Sequence, residues 1–277
     1  MNLHILVSII IPTYNEEKII TKCLNSVLDQ SYNYKEIIII NDGSTDNTQS
    51  TINRNFPQIK LYSIKHSGPG NARNYGGSVA RGEILAFVDA DMVLSKNYIE
   101  NLINPIIKKQ ADGTYSTAEY ILNKNNIWSK CWNINNNLPL NKRISKIEQK
   151  QGKVFRAIIK TAFVKLKGFN PNKGYYDDHA LSEKGIYPIP VNNAVCYHNN
   201  PELLKEVYFS ARWIGRSEKY NLTFRNIIRY SIINSLKISI TKICQGVPFR
   251  FVIFKIIFDL GITTGMFFKS KKTFYAK

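Results

Sequence analysis

Short runs of consecutive, mostly β-branched apolar residues recur in the first third of the chain, and they restrict its fold more than any other feature. Val7–Ile11, Glu36–Ile40 and Ile84–Val88 are such runs, apart from Ser8 and Glu36. Because they lack regular polar alternation, they are typical of strands buried on both faces. Between the first two, Glu16–Gln30 carries apolar residues at helical spacing, with Asn15 as the expected N-cap. Strands that alternate with helices across short loops predict an α/β fold with a Rossmann-like, mostly parallel sheet.

The second half of the chain is less regular. We expect strands at Thr114–Leu122 and Val154–Ile159, and a loop over the site at Asn123–Asn141. Asp177–Lys184 and Pro201–Tyr220 have the pattern of helices. Strands and helices are therefore predicted to continue through this part of the chain.

The chain is strongly basic, and the excess is concentrated towards its end. It has 38 Lys and Arg residues against 20 Asp and Glu residues, a formal net charge of +18. From Lys205 onwards there are 14 basic and 3 acidic residues. Such an excess predicts an anionic partner, either a membrane surface or a nucleic acid. Because the bases are dispersed and the sequence has no nucleic-acid recognition motif, we expect no nucleic-acid partner.

The region 221–277 is predicted to form basic, apolar helices that associate with a membrane. Phe251–Phe268 is apolar over 18 residues but contains Lys255 and Asp259, which argue against a full transmembrane span. A helix lying in the membrane interface suits this composition better. True insertion, an oligomer interface formed by the C-terminal helices, and ordinary core packing are the alternatives.

Cysteine usage and the N-terminal sequence predict the compartment. Cys23, Cys131, Cys196 and Cys244 are far apart, with neither zinc-ligand spacing nor a disulfide pattern. The apolar run Leu3–Ile11 lacks a basic n-region and a cleavage site, so it is interpreted as a strand and not as a signal peptide. We therefore expect a cytoplasmic location, with peripheral attachment to the inner face of the cell membrane.

Polar and acidic residues follow several of the predicted strands. Pro12–Asn15 follows the first strand, Asp42 follows the second, and Asp89 and Asp91 follow the strand that ends at Val88. Ligands of doubly wound sheets bind at the carboxyl ends of the strands. Two carboxylates at the exit of a buried strand suit a divalent cation that carries a diphosphate, because Mg²⁺ and Mn²⁺ take oxygen ligands. The sequence thus predicts a metal and diphosphate site at this edge.

Four motifs in a fixed order carry a family resemblance. They are Val7–Glu17, Asn41–Asp46, Gly70–Asn74 and Asp89–Asp91. Together they resemble the inverting family 2 glycosyltransferases of GT-A fold, and the resemblance covers about residues 5–215. It implies a nucleotide-sugar-binding half at residues 1–110 and an acceptor-binding half at residues 111–220.

The resemblance assigns a set of residues to the nucleotide. The corresponding positions in this chain are Pro12, Thr13, Tyr14, Glu16, Asp42, Arg73 and Asp89. In relatives the residue at Asp42 accepts a hydrogen bond from the pyrimidine ring N–H, which would favour a UDP-linked donor. Asp42 can also be interpreted as a turn and helix-capping residue, and Arg73 as an ion-pair partner of the acidic cluster.

The metal and catalytic residues are implied in the same way. Asp89 and Asp91 correspond to the family's metal motif, and His198 to a metal ligand of some relatives. Asp178 corresponds to the catalytic base, with Asp177 as the alternate base. The simpler interpretation of this pair is two acidic residues at a helix start. The implied cofactor is a divalent metal, Mg²⁺ or Mn²⁺.

The expected activity is transfer of a sugar from a nucleotide-sugar to a hydroxyl of a cell-surface or polyprenyl-linked glycan. One alternative is a sugar-phosphate nucleotidyltransferase, although the Gly-rich loop of such enzymes is missing after the first strand. A non-catalytic, membrane-associated protein that binds nucleotide-sugars is the other alternative.

Overall fold

The computed structural model describes residues 5–145, 147, 149–150 and 152–268. They divide into two compact units. Counting described residues only, unit 1 comprises 5–120, 144–171 and 177–198, and unit 2 comprises 121–143, 172–176 and 199–268. Residues 269–277 of the predicted membrane-associating region lie outside the described residues.

The described residues contain eight strands and ten α-helices. The strands are β1 Val7–Thr13, β2 Lys35–Asn41, β3 Lys60–Ser63, β4 Ile84–Phe87, β5 Met92–Leu94, β6 Gly113–Ile121, β7 Ala157–Ile159 and β8 Ile189–His198. The helices are α1 Ile20–Leu28, α2 Thr48–Asn55, α3 Pro69–Val79, α4 Tyr98–Ile107, α5 Ile127–Asn135, α6 Lys160–Lys165, α7 Leu204–Gly215, α8 Phe224–Arg229, α9 Ile232–Cys244 and α10 Phe251–Phe267.

The first four strands form the predicted parallel part of the sheet in unit 1. β1 pairs with β2, in a register that sets Ile9 opposite Ile37, and also with β4, while β2 pairs with β3. Every residue of β1 is buried. Ile9 and Ile11 pack into one core, and Ile10 packs into a second core that contains Phe163. Because successive side chains point to opposite faces, a strand covered on both faces is apolar throughout.

Beyond β4 the pairing becomes antiparallel. Over the described residues the strand order is β3-β2-β1-β4-β7-β6-β8-β5. β7 pairs antiparallel with β4 and β6, and β5 pairs antiparallel with β8. The chain therefore leaves β4 inside the sheet, passes through Asp89–Asp91 and enters β5 at the edge. This crossover sets Met92 opposite His198, the last residue of β8.

The predicted N-cap of the first helix is wrong. α1 begins at Ile20, and Asn15 has a left-handed φ of 57°. The side chain of Asn15 accepts a hydrogen bond from the backbone N–H of Thr45 at 2.8 Å. Asn15 therefore binds the loop after β2 and does not cap α1. Sequence periodicity detects the apolar face of α1 but not this longer-range contact.

Three predictions for the second half also need correction. The segment Asn123–Asn141, predicted as a loop, contains α5, whose first turn is capped by the side chain of Asn126. Asp177–Lys184 forms parts of two 3₁₀ segments, Pro171–Ala180 and Ser182–Lys184, in place of the predicted α-helix. α7 is also shorter than the predicted helix Pro201–Tyr220.

In unit 2, α7 and α10 approach each other closely. A Cβ on Gly261 would lie 2.6 Å from the carbonyl oxygen of Tyr208, so only glycine permits this backbone contact. Phe258 of α10 is buried against Trp132, with ring centroids 5.5 Å apart. Ordinary core packing, one of the alternatives for Phe251–Phe268, thus applies to this face of α10. Within the part of the chain that the structure describes, every helix is too short or too polar to cross a membrane.

Candidate active site

The candidate site lies in unit 1, at the carboxyl ends of the parallel strands. Thr13 ends β1, Asp42 follows β2, and Asp89 follows β4. Because these strands are parallel neighbours, their ends meet at the same edge of the sheet. The backbone N–H of Asp42 donates to the carbonyl oxygen of Thr13 at 2.9 Å, which extends the pairing of β1 and β2 beyond the strands.

Two loops at this edge are joined by side-chain hydrogen bonds. The backbone N–H of Glu16 donates to Thr48 Oγ1 at 2.8 Å, and Glu17 Oε2 accepts from the backbone N–H of Asn47 at 3.0 Å. The backbone N–H of Glu17 donates to Asp46 Oδ2 at 3.2 Å. The polar groups of these loops thus hold the segment after β1 against the start of α2.

Tyr14 and His66 form a stacked pair beside the end of β1. Their ring centroids are 4.1 Å apart and their planes differ by 19°. The adjacent Pro12 and Thr13 are buried. Thr13 Oγ1 is buried without a hydrogen-bond partner among the described residues. A buried hydroxyl without a partner is uncommon, so this position is suited to a polar ligand.

Asp42 anchors the loop that leads into α3. Its Oδ1 accepts from the backbone N–H of Ser67 at 2.8 Å, and its Oδ2 accepts from the backbone N–H of Gly68 at 2.8 Å. His66 Nδ1 lies 2.9 Å from Oδ2 and also 2.9 Å from the Asp42 carbonyl oxygen. This carboxylate raises the pKa of His66, although partial burial acts in the opposite direction. Among the described residues, Asp42 therefore holds the loop before α3, and it does not cap α2, the helix that follows it in the sequence.

Side chains of alternating charge form a continuous series of ion pairs in the site. Asp89 accepts from Arg73 at 2.7 Å through Oδ1 and from Arg156 at 2.8 Å through Oδ2. Arg156 also donates through its Nε and Nη2 to the two carboxylate oxygens of Glu119, at 3.0 and 3.2 Å. Glu119 Oε2 lies 3.1 Å from His198 Nε2. Five side chains, from α3, the β4–β5 connection, the residue before β7, β6 and β8, thus form one network.

The network shifts the pKa values of its members. Burial raises the pKa of Asp89, but Arg156 and Arg73 outweigh burial and hold it far below its ordinary value. Burial likewise raises the pKa of Glu119, and Arg156 together with His198 lowers it to about 2. Burial lowers the pKa of His198, whereas Glu119 raises it well above the ordinary value. The carboxylates are therefore ionised at neutral pH and held in fixed positions.

Asp89, Asp91 and His198 could together hold a metal ion. One ligand atom from each lies within 4.8 Å of the others. His198 Nδ1 is 3.8 Å from Asp91 Oδ1, while Nε2 faces Glu119. An imidazole that gives one nitrogen to a metal and the other N–H to a carboxylate is the usual arrangement of a metal-binding histidine. The two carboxylates are suitable donors for Mn²⁺ or Mg²⁺, and the imidazole suits a transition metal such as Mn²⁺ better than Mg²⁺.

Asp177 and Asp178 differ in their contacts. Asp177 is buried, its Oδ1 lies 3.2 Å from Arg73 Nη1, and its Oδ2 would be 2.6 Å from a Cβ on Gly70. Asp178 Oδ1 has no hydrogen-bond partner in the part of the chain that the structure describes, and His179 Nε2 is 3.8 Å away. Burial raises the pKa of both carboxyl groups, and Arg73 opposes this rise. Arg73 thus bridges Asp89 and Asp177, as its ion-pair interpretation predicts.

Sequence reasoning did not single out Arg156, Glu119 or His66. Arg156 and Glu119 lie in segments that were predicted as strands, and each is the one charged residue of its segment. Such an interruption is a signal, because a charge on a buried strand requires a partner. His66 lies in the loop before α3 and carries no comparable signal in the sequence.

The chain is similar to known glycosyltransferases over part of its length. The chain is 36% identical over 111 residues to glycosyltransferase GlyG of Streptococcus pneumoniae, which is 39% of this chain and 37% of GlyG. It is 35% identical over 127 residues to the UDP-Glc:alpha-D-GlcNAc-diphosphoundecaprenol beta-1,3-glucosyltransferase WfgD of Escherichia coli, 45% of this chain and 50% of WfgD. The chain thus spans half or less of the length of these relatives.

Two solved structures share the fold. S. aureus TarS 1-349 in complex with UDP-GlcNAc matches with a TM-score of 0.56 and 18% identity, over 94% of this chain and 91% of that one. The mannosyltransferase PcManGT from Pyrobaculum calidifontis, in complex with GDP-Man and Mn²⁺, matches with a TM-score of 0.57 and 18% identity, over 94% and 72% of the chains. At this identity the likeness establishes the GT-A type of fold.

The family assignment rests on the sequence from β1 to the end of α6. Residues 8–166 match the family described as glycosyl transferase family 2. This segment is more than half of the chain, and it contains Thr13, Asp42, Arg73, Asp89 and Asp91. The chain belongs to glycosyl transferase family 2.

Proposed function

We propose that this chain is a metal-dependent, inverting glycosyltransferase that moves a sugar from a UDP-linked donor to a hydroxyl of a lipid-linked or cell-surface glycan. The observation that carries the proposal is the group Asp89, Asp91 and His198, whose ligand atoms lie within 4.8 Å of one another at the carboxyl edge of the sheet. Clustered acidic residues alone are common in proteins, so the interpretation of this group as a metal site depends on the family to which the chain belongs.

The donor atoms fit a hard divalent cation. Asp91 and His198 Nδ1 would hold Mn²⁺ or Mg²⁺ together with Asp89, and each oxygen of Asp89 keeps lone-pair capacity beside its arginine contact. When bound, such a cation neutralises charge on the departing nucleoside diphosphate. Glu119 accepts from Nε2 of His198 and so presents Nδ1 to the ion. The Mn²⁺ in the PcManGT complex supports a cation of this type.

Asp178 is the better candidate for the catalytic base. Asp177 is committed to Arg73, whereas Asp178 Oδ1 has no hydrogen bond among the described residues. A raised pKa makes a carboxylate a stronger proton acceptor, and burial raises the pKa of Asp177 as well as that of Asp178, so the contacts and not the pKa values separate the two residues. We assign Asp178 to removal of the proton from the acceptor hydroxyl. A single in-line displacement then converts an α-linked donor into a β-linked product.

The base of the donor is proposed to occupy the place of the His66 ring. His66 covers Tyr14 and contacts Asp42 Oδ2, the two groups that the family resemblance assigns to the nucleotide base. A pyrimidine offers a flat ring for Tyr14 and a ring N–H for Asp42, so it can replace both contacts. Thr13 Oγ1 supplies a further group without a partner in the described chain. UDP-sugars in the names of WfgD and the TarS complex support uracil as the base.

The acceptor is proposed to be a polyprenyl-linked or cell-surface glycan. WfgD acts, by its name, on a diphosphoundecaprenol-linked sugar. An acceptor of this type is embedded in a membrane, so an enzyme that uses it works at the cytoplasmic membrane face. The net charge of +18 is compatible with peripheral attachment to an anionic membrane face.

Ligand binding and product analysis test the proposal. We expect UDP with Mn²⁺ to raise the melting temperature of the wild-type chain, because a ligand that binds the folded state stabilises it. Asp91→Asn should lose the part of this rise that depends on Mn²⁺. The exposed Asp112→Asn is the matched control and should keep it. A screen of nucleotide-sugars with the wild type should then release free nucleoside diphosphate.

Three results would contradict the proposal. The first is equal stabilisation by UDP with and without Mn²⁺. The second is pyrophosphate release from a nucleoside triphosphate and a sugar phosphate, which would indicate a nucleotidyltransferase. The third is tight UDP-sugar binding without turnover on any lipid-linked acceptor, which would indicate a binding protein.

A further inference from the structure

Helix α9 in unit 2 has an inverted distribution of polar and apolar residues. Its buried residues are Ser235 and Ser239. Ile233 is 79% exposed and Ile240 is 61% exposed. A surface helix of a globular protein normally turns its apolar face to the core. α9 therefore requires another explanation for its exposed apolar residues.

The two buried serines of α9 are hydrogen-bonded inside unit 2. Ser235 Oγ donates to Asp259 Oδ2 at 2.7 Å, and Lys255 Nζ donates to Asp259 Oδ1 at 2.7 Å. Ser239 Oγ donates to the carbonyl oxygen of Ser235 at 2.7 Å. Buried ion pairs persist only when both partners are hydrogen-bonded, and Ser235 completes this one. Rotating α9 to bury its isoleucines would remove Ser235 from Asp259, so the orientation of the helix is fixed.

The exposed apolar residues of α9 continue onto α8. We call this surface the α8–α9 outer face, and its residues are Phe224, Ile228, Ile232, Ile233, Leu236 and Ile240. Each of them is at least 40% exposed, and α8 has no buried residue. Clustered exposure of large apolar side chains marks an interaction surface, whereas single exposed residues do not.

The charge of the same segment has one sign. Residues 221–250 contain five basic residues and no acidic residue. The bases are Arg225, Arg229, Lys237, Lys242 and Arg250. An isologous dimer through this face would bring the same bases together and would be opposed by repulsion. Anionic lipid headgroups complement the bases, and the acyl region next to them accepts the apolar side chains.

We propose that the α8–α9 outer face docks on an anionic bilayer surface, with its isoleucines in the interface and its bases among the headgroups. The docking site therefore lies on α8 and α9 and not on the core-facing side of α10. This inference shares the membrane location with the proposed function but does not depend on sugar transfer, so either can fail without the other.

Vesicle co-sedimentation of the full chain tests the docking surface. The vesicles are phosphatidylethanolamine with or without phosphatidylglycerol, and nucleotide-sugar is omitted. Wild type should sediment with the anionic vesicles and much less with the others. The double variant Ile240→Asn with Lys237→Gln should lower the partition coefficient at least about tenfold, since each base near the surface contributes about 1 kcal/mol and the isoleucine adds apolar burial.

The matched control changes the same kinds of residue in unit 1. Val164 is 64% exposed on α6 and Lys165 is its exposed neighbour, so Val164→Asn with Lys165→Gln should sediment like wild type. Equal losses in both double variants, or no binding to either vesicle by wild type, would overturn the proposal. A wild-type dimer that Ile240→Asn dissociates would also overturn it, because a second copy would then cover this face. Far-UV circular dichroism and UDP binding of the variants should match wild type.

Discussion

The two ends of the parallel sheet in unit 1 both bury carboxylates, but they use them differently. At the amino end, Glu36 Oε1 accepts from Ser8 Oγ and from the backbone N–H of Arg81, each at 2.6 Å. Glu36 Oε2 accepts from Arg81 Nε at 3.1 Å and from Lys60 Nζ at 3.3 Å. The backbone N–H of Gly82 donates to Ser8 Oγ at 2.8 Å. Four donors therefore fill the acceptor capacity of one carboxylate.

The carboxyl end is not saturated in this way. Thr13 Oγ1 and Asp178 Oδ1 are buried without hydrogen-bond partners among the described residues. Asp91 is about a quarter exposed beside His198. Leaving buried polar atoms without partners costs free energy, so such atoms are expected where a ligand supplies the missing contacts. A complete network indicates stability, and an incomplete one at the same sheet indicates binding or catalysis.

The largest test of this difference is Asp178→Asn. We expect kcat for sugar transfer to fall by about 10²- to 10⁴-fold, because the amide cannot accept the proton of the acceptor hydroxyl. The melting temperature should change little or rise, since the substitution removes a carboxylate whose burial is unfavourable. Kinetics with a lipid-linked acceptor and thermal unfolding measure the two effects. The exposed Asp112→Asn serves as control, and full activity of Asp178→Asn would refute the assignment of the base.

At the amino end, Glu36→Gln should affect stability and not activity. Hydrogen bonds from Ser8, Arg81 and Lys60 outweigh burial and lower the pKa of Glu36 to about 2 from 4.5. A lowered pKa means that this stabilisation, about 3 kcal/mol, is present above pH 4.5 and is lost as the pH falls towards about 2. Denaturant unfolding across this range should show a smaller pH dependence in Glu36→Gln.

The neighbouring exposed residue gives the control for Glu36. Glu83→Gln lies at the same end of the sheet and should leave both the free energy of unfolding and its pH dependence unchanged. If Glu36→Gln instead lost sugar transfer at unchanged stability, the amino end of the sheet would also take part in catalysis, and the proposed difference between the two ends would be wrong.

Glu119→Gln tests whether the buried carboxylate behind His198 supports metal binding. Glu119 holds Nε2 of His198, so its substitution should lower the affinity for Mn²⁺ by about 10- to 100-fold. Titration of Mn²⁺ in the presence of UDP measures this loss. Glu100→Gln on α4 is the control, and it should keep the wild-type affinity. An unchanged affinity in a folded Glu119→Gln protein would remove His198 from the metal site.

The smallest expected effect comes from His66→Ala. The stacked ring of His66 must leave Tyr14 before a base can take its place, and such a ring pair is worth about 0.5–1.5 kcal/mol. We therefore expect UDP to bind about two- to tenfold more tightly to the variant. Calorimetric titration with UDP checks this, and weaker binding would mean that His66 contacts the nucleotide directly.

Much of the parallel sheet could be predicted because its signals are local. The apolar runs of β1, β2 and β4 require burial on both faces, and the polar residues after them follow from where the runs end. Tyr14, Asp42 and Asp89 are therefore brought to one edge by chain direction alone. The second half could not be predicted equally well, because β7 has three residues and its partners β4 and β6 are distant in the sequence.

The sequence by itself determined the family, the parallel strands and the acidic residues at their carboxyl ends, because hydrophobic periodicity and motif order are properties of contiguous segments. Only the tertiary structure decided which charges meet. Antiparallel pairing of β5 with β8 sets His198 beside Asp91, and pairing of β7 with β4 delivers Arg156 to Asp89. It also decided that α9 exposes its isoleucines, because the ion pair of Lys255 and Asp259 needs Ser235 on the inner side. Local sequence patterns are compatible with several strand pairings and helix orientations, and contacts between residues distant in the sequence determine which of them forms.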